Sequence, residues 1–297
     1  MKARLVFAAQ DQVGESLIWD ARRNRLVWVD IIGRRIHALD PATGIHSLWP
    51  LEGRPTSIGL CADGSAIVGM ERHICCWNWQ GQPEPVVEVE TDQPDNRLNE
   101  GVVGPDGTFW VGTMFNNINP DDSPRAVPSA TGSLYRYSAD GTLIRVTDDL
   151  FSITNTLAFP SIDRLLAADT LANTIYGYRV GPGGALTDRR VIQRDFPRGL
   201  PDGSCLDAQG RLWTARVAGG ACLTCMTPEG QVEQVADLPC SWPTSCAFGG
   251  PDLATLYVTS ARFSQSPEHL AAHPQEGGLF ALNPGVKGQP ANLFGVS

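Results

Sequence analysis

The sequence contains no long apolar run. Its first apolar stretch, Leu5 to Ala9, gives way at once to Gln10 and Asp11. A secretory signal needs a longer apolar segment and a small-residue cleavage site, and a membrane-spanning helix needs about 20 apolar residues. We therefore expect a cytoplasmic protein that does not associate with membranes.

Basic residues are also scarce. The chain has 23 Lys and Arg against 32 Asp and Glu, which gives a net charge of −9. Proteins that bind nucleic acid through its phosphates present a basic face, so nucleic acid is not an expected partner. Hydrophobic residues make up 42% and charged residues 19% of the chain, a composition that supports a sizeable core and argues against disorder.

Several familiar site motifs are missing. The sequence has no G-x-S-x-G segment, so the serine nucleophile of an α/β-hydrolase is not indicated. Its one C-x-x-C segment, Cys222 to Cys225, has no second pair at zinc-ribbon spacing, and residues three apart on a strand point to opposite faces. We interpret the eight Cys as small buried hydrophobes rather than as disulfide partners.

The five His residues form no zinc-protease motif. His269 and His273 are four apart in HLAAH, but Leu270 stands where the H-E-x-x-H motif has its Glu. We predict only a short surface helix around Pro267 to Ala272. Surface strands or turns are the predicted positions of the others, which are His37, His46 and His73.

What the sequence does contain is a sixfold internal repeat, and such repeats decide the fold. Each unit joins a polar or small pair, a short apolar strand, a turn and a second apolar strand, and then continues into a further hairpin. The six units begin at Gly14, Thr56, Asn99, Asn155, Asp202 and Thr244.

A large apolar residue anchors the second strand of each unit. The six anchors are Trp28, Ile67, Trp110, Leu166, Trp213 and Tyr257, spaced 39, 43, 56, 47 and 44 residues apart. The helical period of 3.6 residues is not found. Six units of four short strands predict an all-β fold, a six-bladed β-propeller with four-stranded blades that forms one domain over residues 1–297. A two-domain β-sandwich chain is the structural alternative.

The interval of 56 residues is the longest, and it holds an insertion rich in Pro, Asn and Asp. The insertion runs from Phe115 to Ala130. Long irregular segments in compact domains commonly carry function. We expect residues 115–130 to form a loop over one mouth of the propeller channel.

Counting back from the anchors places one oxygen-bearing side chain per unit on the innermost strand, where equivalent positions form a ring around the channel. The count is 11 residues in four units and 13 in the first and last, where the turn is longer. The ring consists of Glu15, Thr56, Asn99, Asn155, Asp202 and Thr244. Two carboxylates and two amides converging on one axis are costly unless a cation or water satisfies them. The alternative interpretation is that these residues merely begin strands, since Asn, Asp and Thr are common in turns.

Several separated segments carry a resemblance to a known family. They are VGESLIWD from Val13, NRLNEGVVGPDGTFWVGTM from Asn96, ITNTLAF from Ile153, PDGSCLDAQGRLWTA from Pro201 and the late segment AFGGPDLATLYVTSAR. With them the chain resembles the SMP-30/gluconolactonase family, which includes regucalcin and bacterial aldonolactonases, over about residues 11–283.

The resemblance implies a metal site and a substrate site. It implies that Glu15, Asn155 and Asp202 bind one divalent ion, with Ca, Zn, Mn, Mg and Fe(II) all possible for hard oxygen ligands, and that Asp202 is also the catalytic residue. It assigns Arg97 and Asn99 to the substrate. Glu100 stands where the family often has Asp, and we expect it to accept hydrogen bonds from sugar hydroxyls.

One family feature is missing. A substrate-contacting Glu that follows the GTM segment in some members is not evident here, because Phe115, Asn116 and Asn117 follow Met114. The identity of the sugar is therefore left open by the sequence.

The implied function is the metal-dependent hydrolysis of a sugar lactone such as gluconolactone, xylonolactone or arabinonolactone, by a monomer or small homo-oligomer. Two alternatives are weighed against it. The first is a phosphotriester or aryl-ester hydrolase on the same propeller plan, but such enzymes usually add a second calcium and a His to the ring, and no His falls in this ring. The second is a non-enzymatic, metal-binding regulatory protein, a role also proposed for relatives.

Overall fold

The computed structural model describes residues 1–296, which form six antiparallel sheets around a central axis. The innermost strands of the sheets contact one another in a closed cycle, each sheet next to the following one and the sixth next to the first. This arrangement confirms the predicted six-bladed propeller.

The strands follow one another from the axis outward within each blade. The first strand of the chain, β1 (Arg4–Phe7), lies at the outer edge of the last blade. Blade 1 consists of β2 (Gly14–Asp20), β3 (Arg25–Asp30), β4 (Arg35–Leu39) and β5 (His46–Pro50). Blade 2 consists of β6 (Pro55–Cys61), β7 (Ala66–Met70), β8 (His73–Trp77) and β9 (Glu84–Glu88). Blade 3 consists of β10 (Asn96–Val103), β11 (Phe109–Phe115), β12 (Leu134–Tyr137) and β13 (Leu143–Arg145).

The second half of the chain repeats this order. Blade 4 consists of β14 (Thr154–Ser161), β15 (Arg164–Asp169), β16 (Thr174–Val180) and β17 (Leu186–Arg194). Blade 5 consists of β18 (Leu200–Leu206), β19 (Leu212–Val217), β20 (Cys222–Met226) and β21 (Val232–Asp237). Blade 6 consists of β22 (Pro243–Gly249), β23 (Thr255–Ser260), β24 (Leu279–Leu282) and the N-terminal β1.

Both ends of the chain help to close the ring. Strand β1 pairs with β24, so the last blade combines strands from the two ends of the chain. A short strand, β25 (Leu293–Phe294), pairs in parallel with β6 of blade 2. The terminal strands are therefore tied to blade 6 and blade 2 by backbone hydrogen bonds, and β1 covers the edge of β24 that would otherwise be open.

Burial decreases from the axis to the rim, as the alternation of the sequence predicts. Strand β6 is buried along its whole length, whereas the outer strand β9 of the same blade is largely exposed. All six anchor residues are buried on second strands of their blades. They pack in apolar clusters that join neighbouring blades, and the area buried there helps to hold one blade against the next.

The same irregularity recurs in all six inner strands. Near each ring position the inner strand has one more residue than the second strand that pairs with it, which is a β-bulge. In β18, for example, the register passes from Pro201 to Ser204 while the partner strand advances only from Arg216 to Thr214. A bulge re-aims side chains that would otherwise lie between the blades.

Two expectations about histidine meet different outcomes. The short helix is present as α1 (Pro267–Ala272), capped by Ser266. The surface position predicted for His37 is wrong, because its side chain is buried, stacks on Trp28 and lies 3.1 Å from a carboxylate oxygen of Asp11. Within residues 1–296, no helix has the length and apolar character needed to cross a bilayer.

The interior of blade 5 provides a test of the anchor positions. Trp213 is fully buried, and its indole N–H donates to Asp207, which is also fully buried, at 3.0 Å. We expect Trp213→Ala to lower the free energy of unfolding by about 3–5 kcal/mol, because it leaves a large cavity and removes a hydrogen bond to a buried carboxylate. Val235→Ala on the exposed face of β21 should change it by no more than about 0.5 kcal/mol. Denaturant unfolding measures both, and a loss below about 1 kcal/mol for Trp213→Ala would contradict the anchor role.

Candidate functional site

Five of the six ring residues line one chamber on the propeller axis, and four of the five are carboxylates or amides. Glu15, Asn99, Asn155 and Asp202 line this chamber, which has a volume of about 120 Å³, and all four side chains are buried. Each lies in or directly beside the bulge of its inner strand, so the repeated irregularity of the backbone explains why four polar groups converge.

The two ring threonines have a structural role. Thr56 donates its hydroxyl to the Gly69 carbonyl at 3.1 Å and does not line the chamber. Thr244 does line it, but its hydroxyl donates to the Gly14 carbonyl in the neighbouring blade. The ring residues that can offer polar atoms to a ligand are therefore the two carboxylates and the two amides.

The two amides are oriented by a chain of hydrogen bonds. Asn99 donates to the Thr154 carbonyl at 2.9 Å and to Asn155 Oδ1 at 3.2 Å. Asn155 in turn donates its own amide N–H to Thr170 Oγ1 at 2.8 Å. This chain fixes which atom of Asn155 is the oxygen, and that oxygen keeps a second lone pair for a further ligand.

Glu15 and Asp202 are buried like charges without a cationic partner. Neither forms a salt bridge with any side chain in the described part of the protein. Burial and then the charge of Asp202 raise the pKa of Glu15 well above its usual value. Burial and then the charge of Glu100 raise the pKa of Asp202 well above its own. Without a cation, both carboxyls are therefore shifted toward their protonated forms.

These features fit a divalent ion. A cation between Glu15 and Asp202 would remove the repulsion and the desolvation penalty together, and Asn155 offers a neutral oxygen from the next blade. Within residues 1–296, no group of three or more His, Cys, Asp or Glu side chains is arranged to hold a metal. The candidate ligand set is accordingly a mixed set of two carboxylates and one amide, and its hard oxygen atoms suit Ca²⁺, Mg²⁺ or Mn²⁺.

Arg97 is the basic side chain that lines the chamber. Its guanidinium donates to Asn99 Oδ1 and to Asn117 Oδ1, both at 2.8 Å, and its Nε is buried without a partner. Burial lowers the pKa of Arg97 to about 10, so the group is still charged at neutral pH. A positioned cation with one unused N–H is suited to binding an oxygen of a ligand.

Asn117 is a site residue that the sequence analysis passed over. It lies in the 115–130 insertion, lines the chamber and accepts the hydrogen bond from Arg97. The insertion reaches the chamber as expected, and Asp122 anchors it by accepting hydrogen bonds from Arg34 at 2.8 Å and Arg54 at 2.5 Å. The available signal was its place in the segment just after GTM, where some members of the family have a substrate-contacting Glu.

The structure does not bring Glu100 to this chamber. The two residues of the bulge in β10 diverge, so that Asn99 faces the chamber while Glu100 lines a separate pocket toward the opposite mouth of the channel. Burial raises the pKa of Glu100 to about 7, opposed by the Gly101 N–H. The direct sugar contact predicted for Glu100 is therefore not supported, although its charge is felt by Glu15 and Asp202.

Fold and chamber together define a six-bladed propeller with an oxygen-rich axial site. The family model described as SMP-30/Gluconolactonase/LRE-like region matches residues 13–262. The chain therefore belongs to this family, as the resemblance of its sequence predicted.

Similar proteins match along nearly the whole chain. The 6-deoxy-6-sulfogluconolactonase of Pseudomonas putida is 36% identical, with 95% of this chain and 94% of the relative covered. Regucalcin of Xenopus laevis is 32% identical, with 99% and 98% covered. The crystal structure of a calcium-binding protein, regucalcin, from Agrobacterium tumefaciens superposes with a TM-score of 0.89 at 26% identity, covering 99% of this chain and 98% of that one.

The repulsion between the two carboxylates yields a prediction about stability. In chelator-treated protein, Glu15→Gln should raise the free energy of unfolding by about 1–3 kcal/mol at neutral pH, because it removes one buried charge. A carboxyl whose pKa is higher in the folded than in the unfolded state lowers stability only at pH values above its unfolded pKa. The stability gained by Glu15→Gln should therefore vanish toward pH 4 and grow as the pH rises. Denaturant unfolding at several pH values measures this gain.

The matched control is Glu52→Gln, which replaces an exposed glutamate and should have little effect at any pH. A lower stability for chelator-treated Glu15→Gln than for the wild type would show that the two carboxylates do not repel each other in this way.

Proposed function

We propose that this chain is a metal-dependent lactonase that opens an aldonolactone to the corresponding sugar acid. The proposal is carried by one observation. Two buried carboxylates without a salt-bridge partner share a chamber with an oriented amide and with an arginine that has an unpaired N–H. The names of relatives support the reaction class, since one acts on a sulfogluconolactone and the family is named for gluconolactonase.

The proposed ligands of the ion are Glu15, Asn155 and Asp202. When bound, a divalent ion supplies Lewis acidity for a carbonyl oxygen and lowers the pKa of a water molecule. Relatives named as calcium-binding or regucalcin make calcium one candidate, beside zinc, manganese, magnesium and ferrous iron.

Asp202 is the proposed acid–base residue. Its carboxylate lies in the chamber and receives a hydrogen bond from the Gly203 N–H, which leaves an oxygen lone pair to accept a proton from water. The water oxygen bonds to the lactone carbonyl carbon, and the bond from that carbon to the ring oxygen then breaks. The leaving ring oxygen takes up the proton that Asp202 had accepted, so the carboxylate is restored.

Arg97 and Asn99 are the proposed substrate residues. The unpartnered Nε of Arg97 can donate to a ring oxygen or hydroxyl of the lactone. Asn99 and Asn117 accept hydrogen bonds from the same guanidinium and hold it in place. Positioning of this kind contributes by fixing the substrate before reaction.

Neither alternative function gains support at the site. The four polar ring positions contain no His, which disfavours the phosphotriester and aryl-ester hydrolases considered above. A purely regulatory metal-binding role would not require an unpaired guanidinium N–H in the chamber. A cytoplasmic location and a monomeric or small homo-oligomeric state stay predictions.

A panel of neutral aldonolactones tests the proposal directly. We expect at least one to be hydrolysed, with activity lost after exhaustive chelation and restored by one of the five candidate ions, because the acidic chamber needs a cation to stabilise the oxyanion. Metal content measured alongside the rate separates a tightly held ion from true metal independence. Full activity in a sample shown to contain no metal would refute the mechanism.

Asp202 and Arg97 should differ in their effects. Asp202→Ala should abolish nearly all turnover and lower the bound metal, since it removes both a ligand and the proton acceptor. Arg97→Ala should keep the metal and lower kcat/KM by about 1.5–3 kcal/mol, the size of a charged hydrogen bond. Metal analysis and steady-state kinetics on the folded variants measure both effects.

Arg190→Ala, at a strongly exposed position on blade 4, is the control and should match the wild type. If Asp202→Ala retained both metal and activity, the assignment of the site would be wrong.

A further inference from the structure

The layer of side chains above the ring differs from the ring in chemistry. Alternate residues of a strand share a face, so the residue two positions before each ring residue belongs to the next layer toward the chamber mouth. This layer consists of Val13, Arg54, Arg97, Ile153, Leu200 and Trp242. Four of the six are apolar, and only the two arginines carry charge.

One of those arginines is already neutralised. Arg54 donates to Glu71 at 2.6 Å and to Asp122 at 2.5 Å, and it does not line the chamber. Arg34, which also reaches this side of the propeller, is paired with the same Asp122 at 2.8 Å. Among residues 1–296, Arg97 is therefore the one basic side chain that lines the chamber, together with two carboxylates and the amides of the ring.

Apolar side chains complete the upper wall. Ile31 follows β3, Ile118 comes from the insertion, and Phe263 follows β23, and all three line the chamber. Together with Val13, Ile153 and Trp242 they form what we name the apolar collar. A ligand with its carbonyl at the carboxylates must place its far end against this collar.

A charged far end would find no cation among the collar residues. The free donor of this layer, Arg97 Nε, is assigned in the proposed function to the ring oxygen or a hydroxyl of the lactone. A sulfonate or phosphate at the collar would lose its hydration against apolar side chains, whereas a methyl group would bury apolar area at the same place. The collar therefore discriminates by desolvation.

We propose that the chamber selects uncharged aldonolactones with an apolar exocyclic end, such as 6-deoxy lactones, and rejects lactones that carry a sulfonate or phosphate. This inference rests on the proposed lactonase function. It separates the chain from its Pseudomonas putida relative, which is named for a 6-deoxy-6-sulfonated lactone.

A series of lactones that differ only at carbon 6 tests the proposal. The series carries hydrogen, hydroxyl, sulfonate or phosphate at that carbon, on whichever sugar ring turns over fastest in the neutral panel. We expect kcat/KM for the deoxy lactone to equal or exceed that of the hydroxyl form by up to about tenfold. The two anionic lactones should be at least about 100-fold poorer than the hydroxyl form.

Two arginine variants probe the collar itself. Ile118→Arg should raise the kcat/KM of the sulfonated lactone relative to the hydroxyl form by about tenfold, because it supplies a counter-charge. The neutral Ile118→Met is the matched control and should leave the ratio unchanged. Phe263→Arg repeats the test from another blade, so the result does not depend on one variant folding.

The outcomes distinguish a failure of the proposed lactonase function from a failure of the specificity inference. If no uncharged lactone is hydrolysed by wild-type protein with any candidate ion, the proposed function fails. If uncharged lactones are hydrolysed but the sulfonated or phosphorylated form is as good a substrate, the specificity inference alone fails. It also fails if both arginine variants fold, hydrolyse the neutral lactone and leave the ratio unchanged.

Discussion

The repulsion between two buried carboxylates is the constraint on which this site depends. Glu15 and Asp202 belong to blades 1 and 5, yet they face one chamber, where burial raises the pKa of both carboxyls. The charge of Asp202 adds to the shift of Glu15, and the charge of Glu100 adds to the shifts of both. Burying like charges is costly, and the backbone hydrogen bonds from the Ser16 N–H to Glu15 and from the Gly203 N–H to Asp202 only partly offset the cost. The arrangement is understandable when a cation is part of the functional state, because one ion would then offset the charge of both carboxylates.

The propeller makes this convergence possible through repetition. Six inner strands meet in a closed cycle, and each carries a bulge at the same height. One backbone irregularity, repeated, therefore delivers a side chain from every blade to the axis. Thr56 and Thr244 use their ring positions to bind backbone carbonyls between strands or blades. The other four ring positions carry the residues of the proposed metal and substrate site.

The sequence predicted the structure well where the same residue spacing recurred in all six repeats. Constant spacing between ring residue and anchor predicted the blades, and it identified Glu15, Asn99, Asn155 and Asp202 as neighbours although 187 positions separate the first from the last. It was less informative where a single local geometry decided the outcome. Asn99 and Glu100 point in opposite directions because of one bulge. The sequence Asn99-Glu100-Gly101 does not specify which of the two residues points toward which mouth of the channel.

The contacts made by the insertion also could not be predicted from the sequence. The partners of Asp122 are Arg34 and Arg54, from two other blades, and irregular segments have no period from which such pairings can be counted. The burial of His37 arises in the same way, since its partner Asp11 lies on the segment before the first repeat. Tertiary contacts of this kind override local pattern, and they require coordinates.

The central claim is that Glu15, Asn155 and Asp202 together bind one divalent ion. Anomalous X-ray scattering from crystals equilibrated with Mn²⁺ tests it most directly, because the signal locates the ion independently of any assumed ligand. The account predicts one strong peak in the chamber, within about 2.6 Å of an oxygen from each of the three side chains. A well-occupied manganese site elsewhere in the protein, with no peak between these three residues, would contradict it.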